Sequence, residues 1–576
     1  MPKEQGYLHQ DEEQQLAICH RTGPMLVLAG PGSGKTYVIT HHIAYLITQC
    51  HIPPSKILVI TFTKAAALEM QARANTLSNQ CTYAVFGTFH SVFYQILRQS
   101  NPYQNYTLVS DAERMRFIRA VCSEDADEKQ DTEAIANACL KEISRCKNRL
   151  PEEAQEQEIK YPKVYEAYHT WLSENQKLDF DDMLRLCYLY LSHHPDKRKY
   201  WQERFSYILI DEFQDINPLQ YETIKLLAPH RSVFAVGDDD QAIYGFRGAE
   251  PAIMQRFVKD FHAEIIRLSH NYRCSGNITE AAIKLIGHNQ MRFEKNITAA
   301  KAGGEPVVLK ELADRTEERL FLEQEINSFG EKYPQKTQAV LCRTNKLLQG
   351  YDRCIAKEGE NLLWKDVGAY LSFINAGRKR EDFLKLMNKP MRYISRTIVT
   401  EPVVNFESLK KRLEDKPWIK RRIEELEKQM ALAERLDLIG QLHYIWNIMG
   451  YEQYIRESCN GDEQKIKEYA HEFAKLLDAA GRCGNLQDLS LEMEKKLTAG
   501  KSNLKLMTYH GAKGLEFDRV YLPDLNYGKV PHGRMLTEEE LEEERRMFYV
   551  ALTRAKESLV LIHTAEQSSP FLTEIN

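Results

Sequence analysis

Two sets of short apolar runs constrain this chain more than any other feature. "MLVLAG", "KILVITFT", "YILIDE", "SVFAVGD" and "EIIRLS" fall in the first half, and "PVVLKEL", "QAVLCRT", "LKLMTYH", "RVYLPDL" and "SLVLIHT" in the second. Each is apolar at nearly every position, a pattern that suits strands buried on both faces, as in a parallel sheet. Helical patterns separate the runs, and this alternation predicts two α/β domains.

Two long stretches carry no strand pattern. Roughly 101–178 reads as helices, for example "DAERMRFIRAVCSE", and so does roughly 377–500, with "PWIKRRIEELEKQMALAERLDLIGQLHYIW". The simplest architecture is therefore two α/β domains, each interrupted by a mostly helical insertion. No apolar run approaches the ~18 residues that span a bilayer. The polar N-terminus does not read as a signal peptide. The twelve cysteines form no C-x-x-C pair, which argues against a zinc ribbon and for reduced thiols. We expect a cytoplasmic protein with no membrane partner. A net charge of −5 argues against a simple basic nucleic-acid coat but leaves room for a groove with concentrated Lys and Arg.

The stretch "LVLAGPGSGKTYVIT" joins the first apolar run to a helix. Read singly, the loop is Ala29, Gly30, Pro31, Gly32, Ser33, Gly34, Lys35 and Thr36. Gly32 and Gly34 let backbone N–H groups converge on phosphate oxygens with no Cβ in the way. The helix that follows turns its positive end toward the anion. Lys35 can then reach the β- and γ-phosphates, and Thr36 can ligate Mg²⁺. In "YILIDEFQD", Asp211 and Glu212 stand at the carboxyl end of a buried strand, where open α/β sheets bind ligands. Asp211 would hold Mg²⁺ and Glu212 would orient and deprotonate the attacking water. Paired acids at a strand end are often merely solvated; beside a phosphate loop the catalytic reading is the stronger. Phosphoryl transfer also needs positive charge around the γ-phosphate, and an arginine from the second α/β region is the expected source.

Further motifs follow in order, and together they resemble the superfamily 1 DNA helicases of the UvrD/Rep/PcrA type. They are Gln14 in "QQLAI", "TFTKAAALEM" (61–70), "FGTFHS" (86–91), "DFDDML" (179–184), "VGDDDQAIYGFRGA" (236–249), "HNYRCS" (270–275), "LMTYHGAKGLEF" (506–517) and "EEERRMFYVALTRAK" (542–556). The resemblance implies two RecA-like P-loop NTPase motor domains. It makes Gln14 an adenine-reading glutamine, Tyr272 an adenine-stacking ring and Glu516 a ribose contact. Gln241 becomes the γ-phosphate sensor, and Arg273 and Arg554 the two arginine fingers. Single-strand contacts fall on Phe62, Thr63, Lys64, Thr88, His90, Tyr244, Phe246, Arg247, Thr508 and His510. The aromatics among them would be sequence-tolerant steps, each worth ~1–3 kcal/mol, and Arg247 and Lys64 would track phosphates.

The resemblance further implies ATP and Mg²⁺ as cofactors, single-stranded DNA and its junctions with duplex as partners, 3′→5′ movement, and a role such as DNA repair. A nuclease subunit or repair protein fits as a further partner. The implied division is 1–100 and 179–270 for the first motor domain, 101–178 for its insertion, 271–376 and 501–576 for the second motor domain, and 377–500 for a reduced insertion. Several residues depart from the family pattern. Phe246 replaces a tryptophan. Tyr37 stands where arginine is frequent, and either stacks on adenine or joins the core. Tyr393 and Ser395, in "NKPMRYISRTI", stand where a duplex-contacting motif usually has glycines. Two rival readings stay open: an ATP-gated clamp or translocase without strong unwinding, and an RNA-directed relative.

Overall fold

The computed structural model describes residues 11–575 apart from 101, 125–131, 151–159, 229–231, 246–247, 302, 352–357, 400, 415, 460–462 and 500–502. The chain forms two compact units. The first comprises Met1–Asp314, Leu341–Arg343 and Met507–Asn576; the second comprises Arg315–Val340 and Thr344–Leu506.

The first unit contains a six-stranded parallel sheet. Its strands are β1 (Met25–Ala29), β2 (Ile57–Thr61), β3 (Val85–Thr88), β4 (Tyr207–Ile210), β5 (Ser232–Gly237) and β6 (Glu264–Leu268), in the order β3-β2-β4-β5-β1-β6. Pleating sends alternate residues to opposite faces. Leu26, Leu28, Leu58, Ile60, Ile208 and Ile210 enter the core on one face. Met25, Val27, Ile57, Val59, Leu209 and Phe234 enter the core on the other. This is why the runs read as apolar at every position. The order also sets β1, β5 and β4 side by side, so the loops leaving their carboxyl ends share one rim.

A second group of parallel strands belongs to the same unit: β7 (Val308–Leu312), β8 (Phe517–Leu522) and β9 (Ala555–Thr564), with β9 between the other two. The fold is thus mixed α/β with parallel sheets, as two RecA-like domains require. The run at Leu504–Thr508 forms a strand with no buried residue, and two further strands depart from the expected double-sided burial: β6 and β7 each bury only their last residue, Leu268 and Leu312. Both lie at sheet edges, with a neighbour on one side alone.

The segment 101–178 is mainly helical, with Asp111–Glu124, Thr132–Lys147 and Pro162–Glu174 packed around Ile118, Cys139, Ile143 and Tyr168. It also holds a pair of two-residue parallel strands, Thr107–Leu108 with Lys177–Leu178, too short to leave a periodic signal. Lys147 is buried at its base, 2.8 Å from Asp179 and 2.7 Å from Asp182. The second unit is built on helices. Its core includes Trp364, Tyr370, Phe373, Phe406 and Ile423. In the helix Pro417–Ala433 the buried positions Ile419, Ile423, Leu426, Met430 and Ala433 recur at helical spacing. Among the described residues, no helix is long and apolar enough to cross a membrane.

His42 tests the sheet core. Its ring stacks on Phe234 at 4.1 Å, its Nδ1 lies 2.9 Å from the Ile18 carbonyl, and burial pulls its pKa down to about 4. The unfolded chain, with an ordinary histidine near 6.5, then binds the extra proton first. Stability is lost as pH falls from about 6.5 toward 4, by up to about 3 kcal/mol. Urea unfolding across that range is expected to show a shallower pH slope for His42→Gln than for the unaltered chain.

Candidate active site

The rim defined by β1, β5 and β4 opens on a cavity of about 420 Å³ within the first unit. Strand β1 delivers the glycine loop. Gly32 and Gly34 have φ of +67° and +89°, the left-handed region where a side chain is disfavoured. Gly34 caps the helix Lys35–Thr48. Ser33 Oγ donates to the Gly30 carbonyl at 2.8 Å, and Lys35 Nζ donates to the Ala29 carbonyl at 2.8 Å. Strand β4 ends at Ile210 and delivers Asp211 and Glu212. The Glu212 backbone is also left-handed, at φ +50°. The loop after β5 delivers Gln241, whose Nε2 donates to Asp238 at 2.6 Å.

The three aspartates 238–240 are held by cations from the protein itself. Lys295 Nζ lies 2.6, 2.5 and 2.7 Å from Asp238, Asp239 and Asp240. Arg292 donates twice to Asp240, at 2.9 and 2.6 Å. This loop is therefore clamped beside the cavity, and it fixes where Gln241 stands.

Two arginines line the cavity from chain segments far from the glycine loop. Arg273 donates from Nε to Glu516 at 2.8 Å. Arg554 is 1% exposed, and its hydrogen-bond partners among the described residues are all neutral: the Val550 and Leu515 carbonyls, Thr553 Oγ1 and Gln241 Oε1. Burial, and then the neighbouring Arg273, pull the Arg554 guanidinium down to about 9. Burial likewise lowers Lys35. Burial and then Glu212 push Asp211 up to about 7. Burial acting alone would raise Glu212, but Lys513 and Lys35 hold it below the usual carboxylate range. The cavity thus concentrates buried cations that a polyanion would relieve. Asp211 and the Thr36 hydroxyl supply hard oxygen donors on the same wall, a set that suits Mg²⁺.

Residues 10–262 match the model of the UvrD/REP helicase N-terminal domain, and 266–476 and 404–566 match that of the UvrD-like helicase C-terminal domain. The chain belongs to the UvrD-like helicase family. It is 32% identical to the ATP-dependent DNA helicase PcrA of Staphylococcus epidermidis, over 96% of this chain and 83% of that one. A "Probable DNA helicase II homolog" of Rickettsia felis is 30% identical, with 100% and 97% covered.

Most family site residues meet at the cavity: Gly30, Gly32, Gly34, Lys35, Thr36, Tyr37, Asp211, Glu212, Gln241, Tyr272, Arg273, Glu516 and Arg554. Three lie behind it. Ala29 and Ser33 belong to the loop's inner side, and Gln14 is buried with its Nε2 donating to the Ser33 carbonyl at 2.9 Å. The Tyr272 hydroxyl donates to Asp11 at 2.9 Å. The Tyr37 ring packs on His41 with centroids 3.8 Å apart while still lining the cavity.

Away from the cavity, Phe62 and Tyr244 stack face to face at 4.8 Å, and the His510 ring lies 6.1 Å from Tyr244. Thr63 and Thr88 cap the helices Lys64–Leu77 and Phe89–Arg98 with their hydroxyls. Lys64 is exposed at the start of the first of these helices, and His90 meets Phe180 edge-on at 5.7 Å. Thr508 Oγ1 accepts from the Gly511 N–H at 3.2 Å. Phe246 and Arg247 lie outside the described residues.

The structure adds residues that the sequence reading did not single out. Arg73, Lys301, Gly514 and Lys556 line the cavity. Lys513 is buried with its Nζ 2.5 Å from Asp215, donates to the Gln241 carbonyl at 2.8 Å, and sits 4.9 Å from the centre of the Tyr244 ring. Lys513, Gly514 and Lys556 fall inside quoted motifs and were findable there; nothing in the local sequence marks Arg73 or Lys301.

Gly32 tests the loop. A Cβ there would come within 2.4 Å of the Arg273 Cβ and 2.5 Å of Asn271 Oδ1, on a left-handed backbone. Gly32→Ala is expected to weaken nucleotide binding at least tenfold, at a strain of about 1–3 kcal/mol. Titration with a fluorescent ATP analogue measures it.

Proposed function

We propose that this protein is an ATP-dependent DNA helicase that moves along single-stranded DNA, 3′→5′, and separates duplex. The observation that carries the reading is the buried Arg554, a cation whose hydrogen-bond partners among the described residues are all neutral, facing the same cavity as Arg273, Lys35 and the acids Asp211 and Glu212.

ATP would lie with its phosphates along the N–H groups of the glycine loop and its base against Tyr37 and Tyr272. Thr36 and Asp211 would hold Mg²⁺, which supplies charge neutralisation at the phosphates. Glu212, kept ionised by Lys513 and Lys35, accepts the proton of the attacking water. The water oxygen bonds to the γ-phosphorus as the bridging oxygen to the β-phosphate departs. Lys35, Arg273 and Arg554 spread positive charge over the γ-phosphoryl oxygens as negative charge shifts between them. Gln241, held by Asp238, touches the same group and reports its presence to the loop ending in Tyr244.

Loss of the γ-phosphate removes the anion that Arg273 and Arg554 share with Lys35, so the motor segments 1–100 with 179–270 and 271–376 with 501–576 part and re-close once per cycle. Stacking at Phe62 and Tyr244 supports single-strand engagement. Lys513 joins that stack to Asp215 and Gln241. A nuclease or repair protein acting on the strand the motor exposes is the partner class this activity suits.

Glu212→Gln is expected to retain ATP binding and lose at least about 100-fold in hydrolysis. Lys35→Ala is expected to abolish turnover while the fold survives. Steady-state ATPase with and without single-stranded DNA or RNA, followed by unwinding of duplexes tailed at either end, tests the whole reading. Turnover indifferent to DNA, or translocation without strand separation, would replace it with the clamp or the bare translocase.

A further inference from the structure

The helical second unit carries an exposed aromatic and cationic patch that takes no part in the hydrolysis described above. Its base is the loop 388–394. Arg392 is buried there and donates to the Leu386, Met387, Pro390 and Met449 carbonyls. Asn388 ties the loop to Ile394 in both directions, at 2.9 Å each way. With these anchors turned inward, Met391 and Tyr393 are turned out, 54% and 60% exposed. Tyr393 holds φ at +57°, a left-handed backbone that a bulky side chain disfavours. Beside it stands Trp418, 52% exposed, with its ring edge-on to Tyr393 at 5.8 Å. Arg422 lies over both rings, 5.2 Å from one centre and 5.4 Å from the other.

The charge nearest these rings is cationic, with Glu425 one turn further along the same helix. Trp418, Arg421 and Arg422 share a helix face through their three- and four-residue spacing. Lys416 stands at the N-cap of that helix, whose first turn has no acid, and Arg396 is exposed just beyond Tyr393. Among the described residues none of Arg396, Lys416, Arg421 and Arg422 has a carboxylate partner, whereas Lys410 and Arg412 do. Cations near a helix N-terminus oppose its macrodipole, so their placement does not serve the helix.

The geometry points to a binding surface for an unpaired nucleic-acid strand, with bases on Tyr393 and Trp418 and phosphates on Arg421 and Arg422. Exposed ring faces suit unstacked bases, which offer a π-face whatever their sequence. In a duplex those faces are already covered by neighbouring bases. A tyrosine ring projecting from this loop also keeps a duplex backbone from close approach to it. The inference rests on the reading of the chain as a DNA motor.

The test uses the full chain and the double variant Tyr393→Gly, Trp418→Ala. Both side chains are exposed, and glycine suits the left-handed backbone, so thermal melting is expected to match the unaltered protein. The variant is expected to bind a fork with two unpaired arms about fivefold to tenfold more weakly, while its ATPase rate at saturating bare strand is unchanged. Iodouracil in an unpaired arm is expected to photo-crosslink to Tyr393 or Trp418 of the unaltered chain. Unchanged fork affinity without that crosslink overturns the proposal. Equal weakening on blunt duplex, or crosslinks from paired positions only, overturns it in favour of a duplex contact. If the unaltered chain shows no DNA-stimulated ATPase, the motor reading falls instead, and the crosslink still decides the patch.

Discussion

A buried guanidinium that hydrogen-bonds no carboxylate among the described residues governs this structure. Arg554 is enclosed by carbonyls, a hydroxyl and an amide, next to a second arginine. Taking a cation out of water costs several kcal/mol unless an anion compensates it. The protein answers that demand elsewhere: Lys295 has three aspartates and Lys147 has two. At Arg554 only Glu212, without a hydrogen bond, offers such compensation, and an anion entering the cavity would supply the rest. A site arranged this way favours a ligand that brings several negative charges, and its electrostatics change when one of those charges leaves.

The surrounding polar groups turn that local imbalance into position. Lys295 and Arg292 neutralise the three aspartates and so fix the loop from which Gln241 meets Arg554. Lys513 carries the connection outward, touching Asp215, the Gln241 carbonyl and the Tyr244 ring within a few ångströms. Tyr244 in turn stacks on Phe62. A continuous set of contacts therefore runs from Arg554 and Gln241 in the cavity to the aromatic pair Phe62 and Tyr244. Such contiguity provides a path for coupling; the coupling free energy itself is what a double-mutant cycle between Lys513 and Tyr244 would measure.

The second unit shows a different use of the same forces. Arg392 spends its donors on backbone carbonyls inside the loop, which leaves Tyr393 outside on a backbone better suited to glycine. The helix beginning at Pro417 gathers cations where its dipole disfavours them. Packing does not explain those cations, since the apolar face of that helix is complete without them.

Much of this was legible in the chain itself. Apolar runs at every position fixed the parallel strands, because both faces of a central strand must be buried; the edge strands β6 and β7 and the strand Leu504–Thr508 escaped that rule. The glycine loop, the acids after "YILI" and the arginines of "HNYRCS" and "ALTRAK" declared their chemistry by residue type and order. What the chain could not declare was distance. That Arg554 meets Gln241, that Lys295 serves three aspartates at once, that Arg73 and Lys301 reach the cavity, and that Gln14 lies behind the glycine loop are consequences of strand order and helix packing. Tertiary structure decided these because charge interactions depend on separation and burial, and neither is written in residues hundreds of positions apart.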